Sequence, residues 1–171
     1  MEKTMEKPYT VGIDIGGTNT VFGVVDARAN ILSHDSIKTK DYPDIHTYVN
    51  TLAERLMVLI DAAGGIDTIK GIGVGAPNGN YYTGQIEQVI AGGELVRQRF
   101  PRQAAKAHFL HHPTKDRLGV PVVLTNDANA AALGEMTYGV ARGMKDFIMI
   151  TLGTGVGSGV VVNGQLVYGH D

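Results

Sequence analysis

The stretch Val11-Gly12-Ile13-Asp14-Ile15-Gly16-Gly17-Thr18-Asn19-Thr20 decides how this chain is read. Val11, Ile13 and Ile15 alternate with small or polar residues, the period of a half-buried strand. A glycine pair follows, and Val21, Phe22, Val24 and Val25 continue at once as a second strand. Two strands joined so tightly make a hairpin whose turn leaves backbone N–H groups bare of side chains. Such a concavity of donors suits an anion, above all a phosphate. Thr18 and Asn19 add hydroxyl and amide donors, and Asp14 stands where a carboxylate can hold a hydrated magnesium ion. The competing reading is a Gly-Gly turn that binds nothing. A second glycine loop far downstream weighs against it.

The chain has 171 residues, enough for one domain or for one domain with part of another. Its 43% hydrophobic and 19% charged residues are those of a soluble globular protein. A net charge of −2 argues against broad attraction to nucleic acid or to membrane surfaces. There is no cysteine, so neither a disulfide framework nor a thiolate metal site can form. The start, Met1-Glu-Lys-Thr-Met-Glu-Lys, lacks the apolar stretch of a signal peptide, and no run of about eighteen apolar residues occurs anywhere. A cytoplasmic protein is expected. Glycine is the outlier, 23 residues clustered where strands end, which points to ligand loops.

Outward from the first hairpin, Ile31 to Ile37 reads as a third strand at an antiparallel edge. Asp44, after Pro43, is placed to cap a helix whose apolar positions Ile45, Tyr48, Val49, Leu52, Leu56, Leu59, Ile60 and Ala63 recur at three and four. Gly64-Gly65 stops it. Ile69 to Gly75 reads as a buried strand ending at Ala76-Pro77-Asn78-Gly79. Gly71, Gly73 and Ala76 loosely match a dinucleotide fingerprint, but Pro77 and a turn follow where that site needs a helix. Gln88 to Lys115 has no organising pattern. Its Arg97, Arg99, Arg102 and Lys106 read as a solvated charged face, and His108, His111 and His112 as an exposed polar cluster with no acidic partner.

From Val120 the pattern sharpens. Pro121 to Leu124 is a short buried strand, Thr125-Asn126-Asp127 stands at its carboxyl end, and an alanine-rich helix runs from Ala128 to about Tyr138, where Gly139 stops it. A strand-to-helix junction at this end of an open sheet is where α/β proteins place ligands. Asn126 or Asp127 is either the helix N-cap or a working pair, Asp127 accepting a proton from a substrate hydroxyl and Asn126 orienting the substrate. Asp146 to Thr151 then reads as a strand, Leu152-Gly-Thr-Gly-Val-Gly-Ser-Gly159 as a loop, and Val160 to Val162 as a strand that Asn163-Gly164 turns back into Gln165-Leu-Val-Tyr168. Two strand–glycine–strand loops can face each other across a cleft and hold the two ends of a polyphosphate. A Walker-type motif is absent.

Asp14-Ile-Gly-Gly-Thr-Asn, Gly73-Val-Gly-Ala-Pro-Asn78, Asn126-Asp-Ala-Asn-Ala-Ala-Ala and Leu152-Gly-Thr-Gly-Val-Gly-Ser-Gly159 together make the chain resemble the ROK family, and within it the glucokinase-like sugar kinases. The resemblance covers Tyr9 to Glu87 and Gly119 to Asp171. It implies an α/β actin-like ATPase fold, two ribonuclease-H-like lobes with the active site between them. It implies ATP phosphates held by Gly16, Gly17, Thr18 and Asn19 and by Gly153, Thr154 and Gly155. Asp14 would place magnesium, Ala76 and Asn126 would line the sugar site, and Asp127 would be the base that activates the 6-hydroxyl of a hexose. The implied substrates are ATP and a hexose, glucose first, and the implied assembly is a dimer, with no nucleic-acid or membrane partner.

Against the family pattern, Gln88 to Lys115 looks foreign, there is no Trp, and no helix-turn-helix precedes Tyr9. The family's zinc motif, its Gly/Glu/His sugar motif and its adenine loop are expected beyond Asp171. The expected architecture is therefore one lobe over residues 9–143, a mixed five-stranded sheet with flanking helices, and a hairpin over 144–171 that begins a truncated second lobe. Val160 to Val162 would be left as an uncovered apolar edge. Weak or absent activity is expected of this chain alone. The alternatives are a relative that binds sugar or nucleotide without turnover, and a fragment with a structural role.

Overall fold

The computed structural model describes residues 7–42, 44–86, 89–91, 94–96, 120–153 and 155–168. A mixed sheet of five strands has the order β3-β2-β1-β4-β9: β1 Tyr9–Ile15, β2 Asn19–Asp26, β3 Ile31–Lys38, β4 Ile69–Ala76 and β9 Val122–Asn126. β1, β2 and β3 form an antiparallel meander, whereas β1, β4 and β9 run parallel. Residues 79–80 (β5) and 85–86 (β6) form one short hairpin, and 89–91 (β7) and 94–96 (β8) another. The latter lies in the segment that showed no pattern in the sequence. The arginines, Lys106 and histidines noted there lie outside the described residues.

Helix α1, Ile45–Ala62, covers one face of the sheet. Asp44 caps it, its carboxylate accepting from the Thr47 N–H at 2.9 Å and the Thr47 hydroxyl at 2.7 Å. Ile45, Tyr48, Val49, Leu52, Leu56 and Ile60 are buried, and they pack on Val11, Ile13, Ile15, Phe22, Val24 and Val74. The alternation in β1 sends Gly12 and Asp14 to the opposite face. Among the described residues, no helix is long and apolar enough to cross a membrane.

On that opposite face lies helix α2, Asp127–Tyr138. A second sheet, of order β10-β11-β12, flanks α2 with Phe147–Leu152, Val156–Val162 and Gln165–Leu166. Of the boundaries that differ from the sequence reading, three bear on the site. β9 runs on through Thr125 and Asn126, because both pair with β4. α2 begins at Asp127, one residue early, because the Asn126 side chain supplies the cap. β11 begins at Val156, so Gly157 and Ser158 are paired strand and the glycine loop shrinks to residues 153–155.

The glycines of β11 are bare for a reason. A Cβ on Gly159 would stand 2.6 Å from Ala132 Cβ and 2.7 Å from the Ala128 carbonyl oxygen, and one on Gly157 would stand 3.1 Å from Ala128 Cβ. β11 lies against α2 at backbone distance, and any side chain there would push the two apart. Val161, on the same face, is buried. The expectation that Val160 to Val162 form an exposed edge is therefore corrected: β11 is the central strand of its sheet. The exposed apolar face is made by Ile148, Ile150 and Leu152 with Val156, and Val162 is exposed there as expected. Beyond β12, Tyr168 stacks on Tyr81 with ring centres 4.4 Å apart, tying the second sheet to the loop after β5.

Two glycine-to-alanine changes should move stability in opposite directions in urea unfolding. Gly159→Ala overpacks the helix–strand contact and should cost ~1–3 kcal/mol. Gly134→Ala, in α2 with nothing within 4 Å of its would-be Cβ, should gain ~0.5–1 kcal/mol from helix propensity.

Candidate functional site

Parallel pairing aligns the carboxyl ends of β1, β4 and β9. Asp14, Gly75 and Thr125, each the penultimate residue of its strand, fall in one row across the sheet: Asp14 opposite Gly75, and Gly75 opposite Thr125. Gly75 is the gap in that row. A Cβ built there would lie 3.9 Å from Asp14 Oδ1, 3.6 Å from the Asp127 Cα and 3.4 Å from Ala130 Cβ. The missing side chain lets Asp14 and the first turn of α2 converge over the same spot. Both carboxylates line an open cleft of ≈ 770 Å³, together with Gly12, Gly73, Thr125 and Thr151.

The electrostatics agree with the geometry. The Asp14 carboxyl is held above its ordinary pKa of 3.8, first by burial and then by the negative charge of Asp127. Two carboxylates of like charge sharing a cleft call for a cation or a proton between them. Thr125 adds a further oxygen: it is buried, and its hydroxyl has no hydrogen-bond partner among the described residues. Carboxylate and hydroxyl oxygens are the hard donors that magnesium takes, so the donor set fits that ion. No cluster of three or more His, Asp or Glu side chains that could ligate a metal directly occurs among the described residues. The fit is therefore to a hydrated ion.

Of the two readings that the sequence left open for Asn126 and Asp127, the structure shows the helix cap. The Ala128 N–H donates to Asn126 Oδ1 at 2.9 Å and to Asp127 Oδ1 at 2.8 Å, so both side chains cap α2. The cap engages only oxygen on Asn126, so its amide nitrogen is not committed by that bond. Ala76 is fully buried, backbone included, and is not among the residues that line the cleft. Gly17, Thr18 and Asn19 are exposed just beyond Asp14, in a turn closed by the Gly16 N–H on the Asn19 carbonyl at 2.9 Å. The second loop is closed by the Gly153 N–H on the Gly155 carbonyl at 2.9 Å. Thr154 lies outside the described residues. Thr151, at the strand end leading into this loop, shares the cleft with Asp14 and Asp127.

Sequence reasoning singled out neither Thr125 nor Thr151. The signal available was position alone, since each stands next to a glycine or Asn-Asp motif at a strand end.

Because Asp14 binds its proton more tightly folded than unfolded, its ionised form opposes folding above the ordinary carboxylate range. Asp14→Asn should raise Tm at neutral pH by ~1–3 °C. That gain should shrink as the pH falls and vanish below 3.8, where Asp14 becomes protonated in both states. Calorimetric melts across pH 3–8 read this directly.

The family model described as ROK family matches residues 10–171. A glucokinase of Streptomyces coelicolor is 34% identical over 161 residues, 94% of this chain and 46% of that protein. Among solved structures, a ROK family glucokinase from Streptomyces griseus in complex with glucose and AMPPNP superposes with a TM-score of 0.67 at 32% identity, covering 95% of this chain and 47% of the other. A ROK hexokinase from Thermus thermophilus gives a TM-score of 0.70 at 32% identity, covering 95% and 49%. The chain spans about half the length of the curated relatives it matches.

Proposed function

The chain belongs to the ROK family, with one lobe of the actin-like ATPase fold, and from that premise we propose that the whole protein phosphorylates a hexose with ATP, glucose being the first candidate. The observation that carries the reading is the convergence of Asp14 and Asp127 over Gly75, with a glycine loop leaving the end of β1. Residues 144–171 are read as the start of a second lobe, and the protein as a cytoplasmic dimer.

Each group then has a task. The loop of Gly16, Gly17, Thr18 and Asn19 holds one part of the ATP polyphosphate, and the loop of Gly153, Thr154 and Gly155 holds another. The Asn126 amide positions the sugar. Asp127 accepts the proton of the 6-hydroxyl as that oxygen bonds to the γ-phosphorus and the bond to the β-phosphate oxygen breaks, leaving ADP. A weak, well-placed base is enough, because the transition state of phosphoryl transfer is loose and positioning supplies most of the rate. Asp14 would hold the hydrated magnesium, with Thr125 across Gly75 on the same rim, and that ion's chemistry is to neutralise charge on the phosphates.

Nuclear magnetic resonance of the ¹⁵N-labelled chain tests the reading. ATP–magnesium should shift the amides of residues 16–19 and 153–155, and Asp14→Asn should remove the magnesium-dependent part. Glucose should shift Asn126 and Asp127 more than fructose or an acetylhexosamine does. Asp127→Asn should keep the nucleotide shifts and lower any turnover by ~10²–10⁴-fold. A chain in which millimolar ATP–magnesium moves neither loop is not built for this reaction.

A further inference from the structure

Behind the first glycine loop runs a line of hydroxyls that the proposed chemistry does not use. Tyr48 of α1, 1% exposed, places its hydroxyl 2.7 Å from Thr20 Oγ1 of β2. Thr20, itself fully buried, lies 2.9 Å from Thr39 Oγ1. The Thr39 hydroxyl donates to the Gly16 carbonyl at 2.8 Å, and the Thr39 N–H donates to the Thr18 carbonyl at 2.9 Å.

The direction of this line follows from proton counting. Each hydroxyl has one proton to give, and a carbonyl can only accept. Thr39 gives its proton to Gly16 and must accept from Thr20. Thr20, having given to Thr39, must accept from Tyr48. The line therefore runs one way, from the phenol to the loop, and bonds in such a chain polarise one another. Burial pushes the Tyr48 pKa up to about 12, so the donor at its head keeps its proton across the physiological range.

We propose that Tyr48 is a positioning residue for the phosphate loop, acting through Thr20 and Thr39 on the Gly16 carbonyl; this rests on the reading that the loop binds phosphate. The Gly16–Gly17 peptide is trans, so its C=O and N–H point in opposite directions. Pulling the Gly16 carbonyl back towards Thr39 aims the Gly17 N–H away from the protein, on the exposed side of the turn. The relay thus sets the donor before any phosphate arrives. It also ties the loop to α1, the helix around which the core is built.

Tyr48→Phe keeps the ring and its edge contact with Tyr42, 5.6 Å between centres, and removes only the donor. In the ¹⁵N-labelled chain, order parameters of Gly17 and Thr18 should fall from about 0.85 towards 0.6. The Kd for ATP–magnesium, read from the same amides, should rise ~3–10-fold, with glucose-induced shifts at Asn126 unchanged. Thr39→Val should reproduce the effect and Thr39→Ser should not. Leu56→Ala, which empties part of the core without touching the relay, should leave both readouts unmoved and so controls for lost stability.

Unchanged order parameters in Tyr48→Phe would overturn the relay. A looser loop with unchanged nucleotide affinity would overturn the positioning role. A parent chain that binds no ATP–magnesium would sink the phosphate reading, while the order parameters would still decide whether the relay holds the loop.

Discussion

Parallel pairing of β1, β4 and β9 is the constraint from which the site follows. Parallel strands need crossovers, and here α1 makes the first of them while lying on one face of the sheet. Strands that run the same way end on the same side. The last residues of all three therefore meet along one rim, and what those residues are becomes the chemistry of that rim: a carboxylate, a gap and a hydroxyl. Had β4 run antiparallel to β1, Asp14 would face the opposite end of its neighbour and Asp127 would be a sheet's length away.

The core and the rim pull in different directions. Towards α1 the sheet presents branched aliphatic side chains and Phe22, packed to near-zero exposure. Towards the cleft it presents glycines, a pair of carboxyl groups and a hydroxyl unpartnered among the described residues, none of which stabilises the fold. That arrangement is usual where a protein keeps groups ready for a ligand: the helix side supplies the stability that the cleft side consumes. Asp14 shows it in one residue, since its neighbours on the strand, Ile13 and Ile15, are buried in the core.

Much of this was legible in the sequence, and the legible parts share a cause. α1 announced itself because cap, spacing and stop are all local, and Asp44, the three-and-four pattern and Gly64-Gly65 each fell where expected. The hairpin at Asn163-Gly164 was legible for the same reason, both residues taking the positive φ that such a turn needs. What stayed hidden depends on register between distant segments. Nothing local says that Tyr48 will meet Thr20 across 28 positions, or that Thr39 will reach Gly16 across 23. The early start of β11 was hidden differently: Gly157 and Gly159 look like loop, and are strand because they pair with Thr151 and Met149 of β10, bare where Ala128 and Ala132 lie close. The cap at Asn126 was legible too, because it is local to the start of α2.

The contact between α2 and β11 has a mechanical meaning. Glycine against alanine is close but smooth, with no ridge seated in a groove as larger side chains would make. Such a contact holds the second sheet against α2 only while both surfaces stay bare. A side chain at position 157 or 159 would act as a wedge between strand and helix, and the cost would fall on the placement of residues 153–155, which lead into that strand.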